Sequence, residues 1–318
     1  MFKIIAAVGG AVALVALIAW FGGRSIGADV LRAGWAIPAN ILIHLCQLFC
    51  AGAAWWLLVG DFRHSVFSFL RFRMIREGVN SLLPVAQIGG PVVAVRVMMA
   101  QGISGAIAGA GTTLDLTVEA AMQLVFTLAG LALLSGEGLK PLWVPWVEGG
   151  LVAGLAGVVA LVLAQRAGLM RVIERLLAKL QEMFPRLALD GLQGLHVELL
   201  RLQRDPKVLV KAALLQLLAW GGGTFEVYLA LLAMGSPVPL TQAFILESLG
   251  MAARSAGFAV PGALGVQEGG FILVGELFGL PPELGLALSM VKRAREVAVG
   301  SAGLLLWHWS EIRRWIGA

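Results

Sequence analysis

Apolar residues run along this chain in long uninterrupted blocks rather than in the alternating or one-sided patterns of a soluble fold. Six blocks, at about 4–22, 36–59, 104–134, 142–165, 208–234 and 284–309, are long enough to cross a hydrocarbon layer of roughly 30 Å at about 1.5 Å rise per residue. They predict six full transmembrane helices and an all-α polytopic membrane protein. The block after Lys3 is too long for the apolar region of a signal peptide, and no small-residue cleavage site follows it before Arg24, so it is read as the first span.

Two further apolar blocks, 79–100 and 243–279, are interrupted near their middles. Pro84, Gly89, Gly90 and Pro91 break the first, and Pro261, Gly262, Gly265, Gly269 and Gly270 break the second. Such residues leave backbone groups without helical partners, and lipid cannot satisfy them. Each block therefore predicts a re-entrant helix pair covered by protein or lining a wet cavity. Pro84 and Pro261 stand 177 positions apart, and three full spans separate the two blocks. An odd number of crossings puts the two elements on opposite sides of the bilayer, the sign of an inverted repeat with a binding region at the midplane. The expected units are repeat 1 at about 36–134, an amphipathic cytoplasmic connector at about 166–207, and repeat 2 at about 208–309, within one membrane domain of 318 residues.

Composition agrees: 59% of residues are hydrophobic and 14% charged, too few charges for an ordinary soluble surface. The net charge of +5 sits in the loops rather than in a run suited to nucleic acid. With both termini inside, the cytoplasmic segments carry 15 Lys/Arg against three in the outer loops, which orients the N- and C-termini to the cytoplasm. Cys46 and Cys50 lie one turn apart within a span and read as packing residues. No metal-ligand pattern and no cofactor motif occurs, and HExxH and Walker sequences are missing.

Ionisable groups inside spans are costly and mark candidate chemistry. Asp115 and Glu119 share a face of the third full span, while Lys292, Arg293, Arg295 and Glu296 sit deep in the sixth. The expectation is that acids of one half pair with bases of the other, leaving an excess of cations. Cationic donors beside a glycine-rich break suit a phosphate. Arg96 and Arg254 are candidates for the same lipid or anion site, as is Glu268 in the GVQEGG segment. Glu226, in the fifth span, is a candidate for ion coupling or structural pairing. Glu77, Asn80, Gln87, Glu247 and Gln267 flank the breaks and are expected to bond loose backbone.

The segments EGVNSLLPVAQIGGPVVAVRVMMAQG and TTLDLTVEAA, with ESLGMAARSAGFAVPGALGVQEGGF and LALSMVKRAREVAVG, resemble the flippase-like family that includes the transmembrane domain of lysylphosphatidylglycerol synthases. The likeness is nearest to stand-alone members associated with hopanoid biosynthesis, and it covers nearly the whole chain. It implies a bacterial inner-membrane protein that binds an anionic or polar-headgroup lipid (phospholipid, polyprenyl or hopanoid-type) and moves it between leaflets. Membrane lipids are the implied partners, with lipid-biosynthesis enzymes as a further class. Without the large soluble aminoacyl-transferase domain of the synthases, aminoacylation is not expected. The rival reading is an integral-membrane enzyme or accessory factor of hopanoid or glycolipid synthesis.

Overall fold

The computed structural model describes residues 30–83, 89–139, 141–172, 174–175, 193–257 and 260–316. The expected first span, Pro84, Gln87 and the middle of the connector lie outside them. Among the described residues the chain is all-helical. After a short 3-10 turn at Ala33–Trp35 come α1 (Ala36–Val59), α2 (Val66–Leu82), α3 (Gly89–Ala100), α4 (Gly105–Gly136) and α5 (Val144–Ala167). They are followed by α6 (Leu195–Leu202), α7 (Pro206–Ala233), α8 (Leu240–Ala256), α9 (Val266–Glu276) and α10 (Pro282–Ile316).

Helix ends follow local chemistry. The Asp205 carboxylate accepts from the Lys207 and Val208 N–H groups at 2.9 and 3.3 Å, and Pro206 opens α7 where its missing N–H costs nothing. Ser104 caps α4 by accepting from the Ile107 N–H, and α1 stops at Gly60, whose φ of +67° is the left-handed stop that glycine adopts freely.

Four helical stretches are long and apolar enough to cross a membrane: Val30–Val59, which contains α1, and α4, α5 and α7. They coincide with the blocks at 36–59, 104–134, 142–165 and 208–234. The block at 284–309 is a single 35-residue helix, α10, set apart from those four by its charges. The two interrupted blocks each fold into two helices packed on one another, α2 with α3 and α8 with α9. The first of these elements starts at Val66, well before the apolar pattern at 79. The intervening RFRMIREG has the look of a polar loop, yet Phe69, Phe72, Arg73, Ile75 and Arg76 are all buried.

The longest packed seams run between α1 and α7 and between α2 and α10. The second is a glycine crossing. A Cβ on Gly303 would fall 2.0 Å from the Met74 carbonyl oxygen, and one on Gly78 2.4 Å from that of Gly300. Backbone therefore meets backbone, and the charged residues of α2 and α10 are brought to close quarters. Apolar packing surrounds this seam. Trp55, Phe69, Phe72, Val97 and Met98 fill one side, and Val227, Leu231, Leu246, Phe271 and Leu286 fill the α7 to α10 side. The end of the connector joins the bundle, with Leu195 and Leu199 buried against Leu58 and Leu114.

A buried ionic cluster beside an apolar groove as the candidate functional site

Charges buried in the bundle come from six helices, with Glu268 supplied by α9. On α2, Arg73, Arg76, Glu77 and Asn80 occupy one face. On α10, Ser289, Lys292, Arg295 and Glu296 do the same, and Arg293 is turned aside toward the break before α9. Asp115 and Glu119 come from α4, Glu226 from α7, and Glu247 and Arg254 from α8. Glycine makes the room: a Cβ on Gly223 would sit 2.1 Å from a Glu247 oxygen, and one on Gly222 2.6 Å from Gln47.

The wiring differs from the expected exchange between halves. Asp115 and Glu119 pair with Arg73 and Arg76 of α2, not with the bases of α10. Arg73 Nη1 lies 3.1 Å and Arg76 Nη1 2.7 Å from Asp115 Oδ2, Arg76 Nη2 lies 2.5 Å from Glu119 Oε2, and Arg73 also bonds Glu119. Gln216 donates to the other Asp115 oxygen at 3.0 Å. Lys292 sits between Glu226 and Glu247 at 3.2 and 2.8 Å. Arg295 reaches Glu226 at 3.3 Å and Glu296 at 3.5 Å, and Arg254 pairs with Glu296 at 2.5 Å. The expected surplus of cations is not there, because Glu226, Glu247 and Glu268 take up Lys292, Arg293 and Arg295, while Arg73 and Arg76, counted from sequence among cytoplasmic loop charges, answer Asp115 and Glu119.

The second break is stitched by the residues singled out from sequence. Glu268 Oε2 accepts from the Gly265 N–H at 2.7 Å and Oε1 accepts from Ser289 at 3.1 Å, and Arg293 Nε lies 2.5 Å from that same oxygen. Arg293 Nη1 donates to the Gly262 carbonyl at 3.1 Å. Gly262 and Gly265 have φ of +64° and +81°, a backbone that side chains with a Cβ resist. Gln267 donates to Ser289 at 2.9 Å and accepts from Arg254. In the first broken element, Asn80 Oδ1 accepts from the Gly90 N–H at 2.9 Å, tying α2 to α3. Gly269 has open space where a Cβ would be, whereas one on Gly270 would press Ala253 at 2.7 Å. Gly89 begins α3. Arg96 lies on the exposed face of α3 and does not line the polar cavity.

Two cavities meet at this site. The polar one, about 120 Å³, is walled by His44, Arg73, Glu77, Glu119, Arg254, Lys292 and Arg295 among others. Its most exposed charged groups are acids, Glu77 at 26% and Glu119 at 20%, while Arg254 is 14% exposed and the remaining bases less. The apolar one, about 550 Å³, runs between α4, α5, α8 and α9, past Leu124, Trp143, Trp146, Gly150, Leu249 and Leu273. The two share walls: on α4, Glu119 faces one and Ala120 the other, and on α8, Arg254 faces one and Ala253 the other. Gln123 spans the partition, donating to the Met251 carbonyl at 3.3 Å and to Ser255.

Sequence reasoning missed His44, Gln47, Arg73, Arg76 and Gln216. The signals were there in part: Arg73, Arg76, Glu77 and Asn80 follow helical spacing, and Gly222 and Gly223 within WGGGTFE mark where α7 makes room for side chains. No three His, Cys, Asp or Glu side chains among the described residues are grouped to hold a metal ion.

Long apolar helices around an internal ionic cluster, with an apolar groove alongside, define a helical membrane protein. The profile of the lysylphosphatidylglycerol synthase TM region matches residues 4–303, and the chain belongs to that family. No curated protein and no solved structure matches it.

Proposed function

We propose that the protein binds a lipid with its headgroup in the polar cavity and its chains in the apolar groove, and moves that lipid between leaflets. The observation that carries this reading is the shared wall: residues next to each other on α4 and α8 face a charged cavity on one side and an apolar groove on the other. An amphiphile needs both environments at that spacing, and a small hydrophilic ion needs only the first. The acids on the wetter side of the polar cavity and the bases behind them favour a headgroup carrying donors as well as a phosphate. The anionic or polar headgroup expected from sequence thereby narrows to one with amino or hydroxyl groups.

The two broken elements support an inverted repeat. In each, a glycine of the second arm packs against the first, Gly90 against the Arg76 carbonyl and Gly270 against Ala253. Six full spans, two re-entrant pairs, cytoplasmic termini and residence in a bacterial inner membrane belong to the same proposal. So does the kinship with hopanoid-associated members. The rival, an enzyme or accessory factor of hopanoid or glycolipid synthesis, would use the same headgroup cavity for turnover.

Leaflet-resolved movement of labelled phosphatidylglycerol, its lysyl ester and phosphatidylethanolamine in proteoliposomes separates the two. Movement that falls at least tenfold in Glu119→Gln, with the protein still folded, is the expected result. Headgroup turnover without movement would overturn the translocation reading.

A further inference from the structure

The cluster's charges do not balance without a proton. Arg73, Arg76, Arg254, Lys292, Arg293 and Arg295 are six cations. The carboxylates among them are Glu77, Asp115, Glu119, Glu226, Glu247, Glu268 and Glu296, seven in all. His44 on α1 lies where the deficit falls. It is 8% exposed, with Nε2 3.7 Å from Glu77 Oε1 of α2 and Nδ1 3.3 Å from Glu226 Oε1 of α7. Arg295 of α10 presses Nη1 against the same Nδ1. The charged and titratable groups facing this ring from the elements around it are Arg73 and Glu77 (α2), Glu119 (α4), Glu226 (α7), Glu247 and Arg254 (α8), and Lys292, Arg295 and Glu296 (α10).

One ring nitrogen has two incompatible partners. Nδ1 can accept from Arg295 only while it carries no proton, and it can donate to Glu226 only when it does. Nε2 has no hydrogen-bond partner, since 3.7 Å to Glu77 is beyond bonding distance, so the ring is not locked into either state. Histidine is the side chain that changes charge under physiological conditions.

We propose that His44 is a proton-binding site that controls Arg295. A proton from water adds to Nδ1, the Nδ1–H bond to Glu226 forms, and the hydrogen bond from Arg295 to His44 breaks. Arg295 then meets a like charge and turns toward Glu296 and the polar cavity. Proton uptake so changes which donors the cavity offers. The proton site stands without any assumption about cargo; its coupling to lipid rests on the headgroup reading.

The test uses the full chain in nanodiscs with ¹⁵N-labelled histidine and arginine. Four histidines are present, and His44→Gln identifies the relevant signal by its loss. Proton uptake at the His44 ring is expected to be matched by movement of the Arg295 signal with the same midpoint, and that movement to be lost in His44→Gln. A His44 signal that stays in one state at every pH at which the protein remains folded, or that changes while Arg295 stays still, overturns the proposal. Should His44→Gln not fold, replacing His64, His196 and His308 in turn assigns the His44 signal by elimination, and the wild-type titration then decides between these outcomes. Lipid movement in proteoliposomes is expected to follow the same midpoint, by no more than about tenfold per pH unit for one proton, and to lose that dependence in His44→Gln. Movement absent at every pH with the titration intact would sink the headgroup reading and leave the proton site standing. Movement whose pH dependence persists in His44→Gln would overturn the coupling.

Discussion

Asp115 shows what a single side chain carries in this bundle. Fully buried, it accepts from Arg73, Arg76 and Gln216. Removing its charge leaves two guanidinium groups facing Glu119 alone, and an uncompensated buried charge costs about 3–5 kcal/mol. Asp115→Asn is therefore expected to lower the thermal unfolding temperature in detergent far more than Glu198→Gln, which disturbs only an exposed pair; equal shifts would contradict the buried network. At the turn between α1 and α2, outside the long helices, Asp61 accepts two bonds from Arg63 at 2.9 and 2.7 Å. Those bonds hold its carboxyl below the usual carboxylate value. Since its folded pKa is the lower one, the stabilisation is present above about pH 4 and disappears as pH falls through the folded value. Asp61→Asn should accordingly lower stability near neutrality, differ little from the wild type in strong acid and so flatten the acid side of a stability-versus-pH curve; an unchanged acid limb would remove Asp61 from that role.

Elements set which residues can meet. Because backbone touches backbone where α2 crosses α10, Gly303→Ala must push Met74 and its helix outward, at a cost of about 1–3 kcal/mol. Arg73 and Arg76 travel with α2, so their distances to Asp115 and Glu119 should lengthen as well. A disulfide introduced between the two helices would form less readily in that variant, and unchanged cross-linking would mean the seam is looser than described. This element also shows where sequence reading stops. The long apolar helices were legible to within about two residues of α1, α4, α5 and α7, because twenty apolar residues in a row leave few alternatives. The second break was legible from Pro261, Gly262 and Gly265, whereas Gly89, Gly90, Pro91, Gly269 and Gly270 lie within α3 and α9. Residues 66–78 were not legible. Their charges match a cytoplasmic loop in composition, and what buries them is the opposing charge on α4, far along the chain. Asp115, Glu226, Lys292 and Arg295 were found because a charge inside an apolar block stands out, whereas Arg73 and Arg76, the partners of Asp115, stood in polar sequence and did not.

Across the whole molecule, the two cavities lie side by side and only α4, α8 and Gln123 divide them. Filling the apolar one should affect cargo without touching the ion pairs. Gly150 lines that groove and has open space where a Cβ would be, so Gly150→Trp is expected to cut lipid movement at least tenfold while leaving the unfolding temperature within about a degree, given that no core contact is lost. Full movement in that variant would exclude the groove as the path for lipid chains.

The groove's outer wall, α5, has no buried residue within its apolar window, and Gly149, Gly150 and Gly157 meet nothing where a side chain would begin. Gln165 ties one end of this wall to Thr117 and Gln203 and Val144, Val147 and Leu151 pack the other end on the core, so between those ends the surrounding acyl chains are left to supply much of the restoring force. The width of the groove is thus a property of the bilayer as much as of the protein, and it should track lateral pressure: wider in loosely packed membranes, narrower in stiff ones.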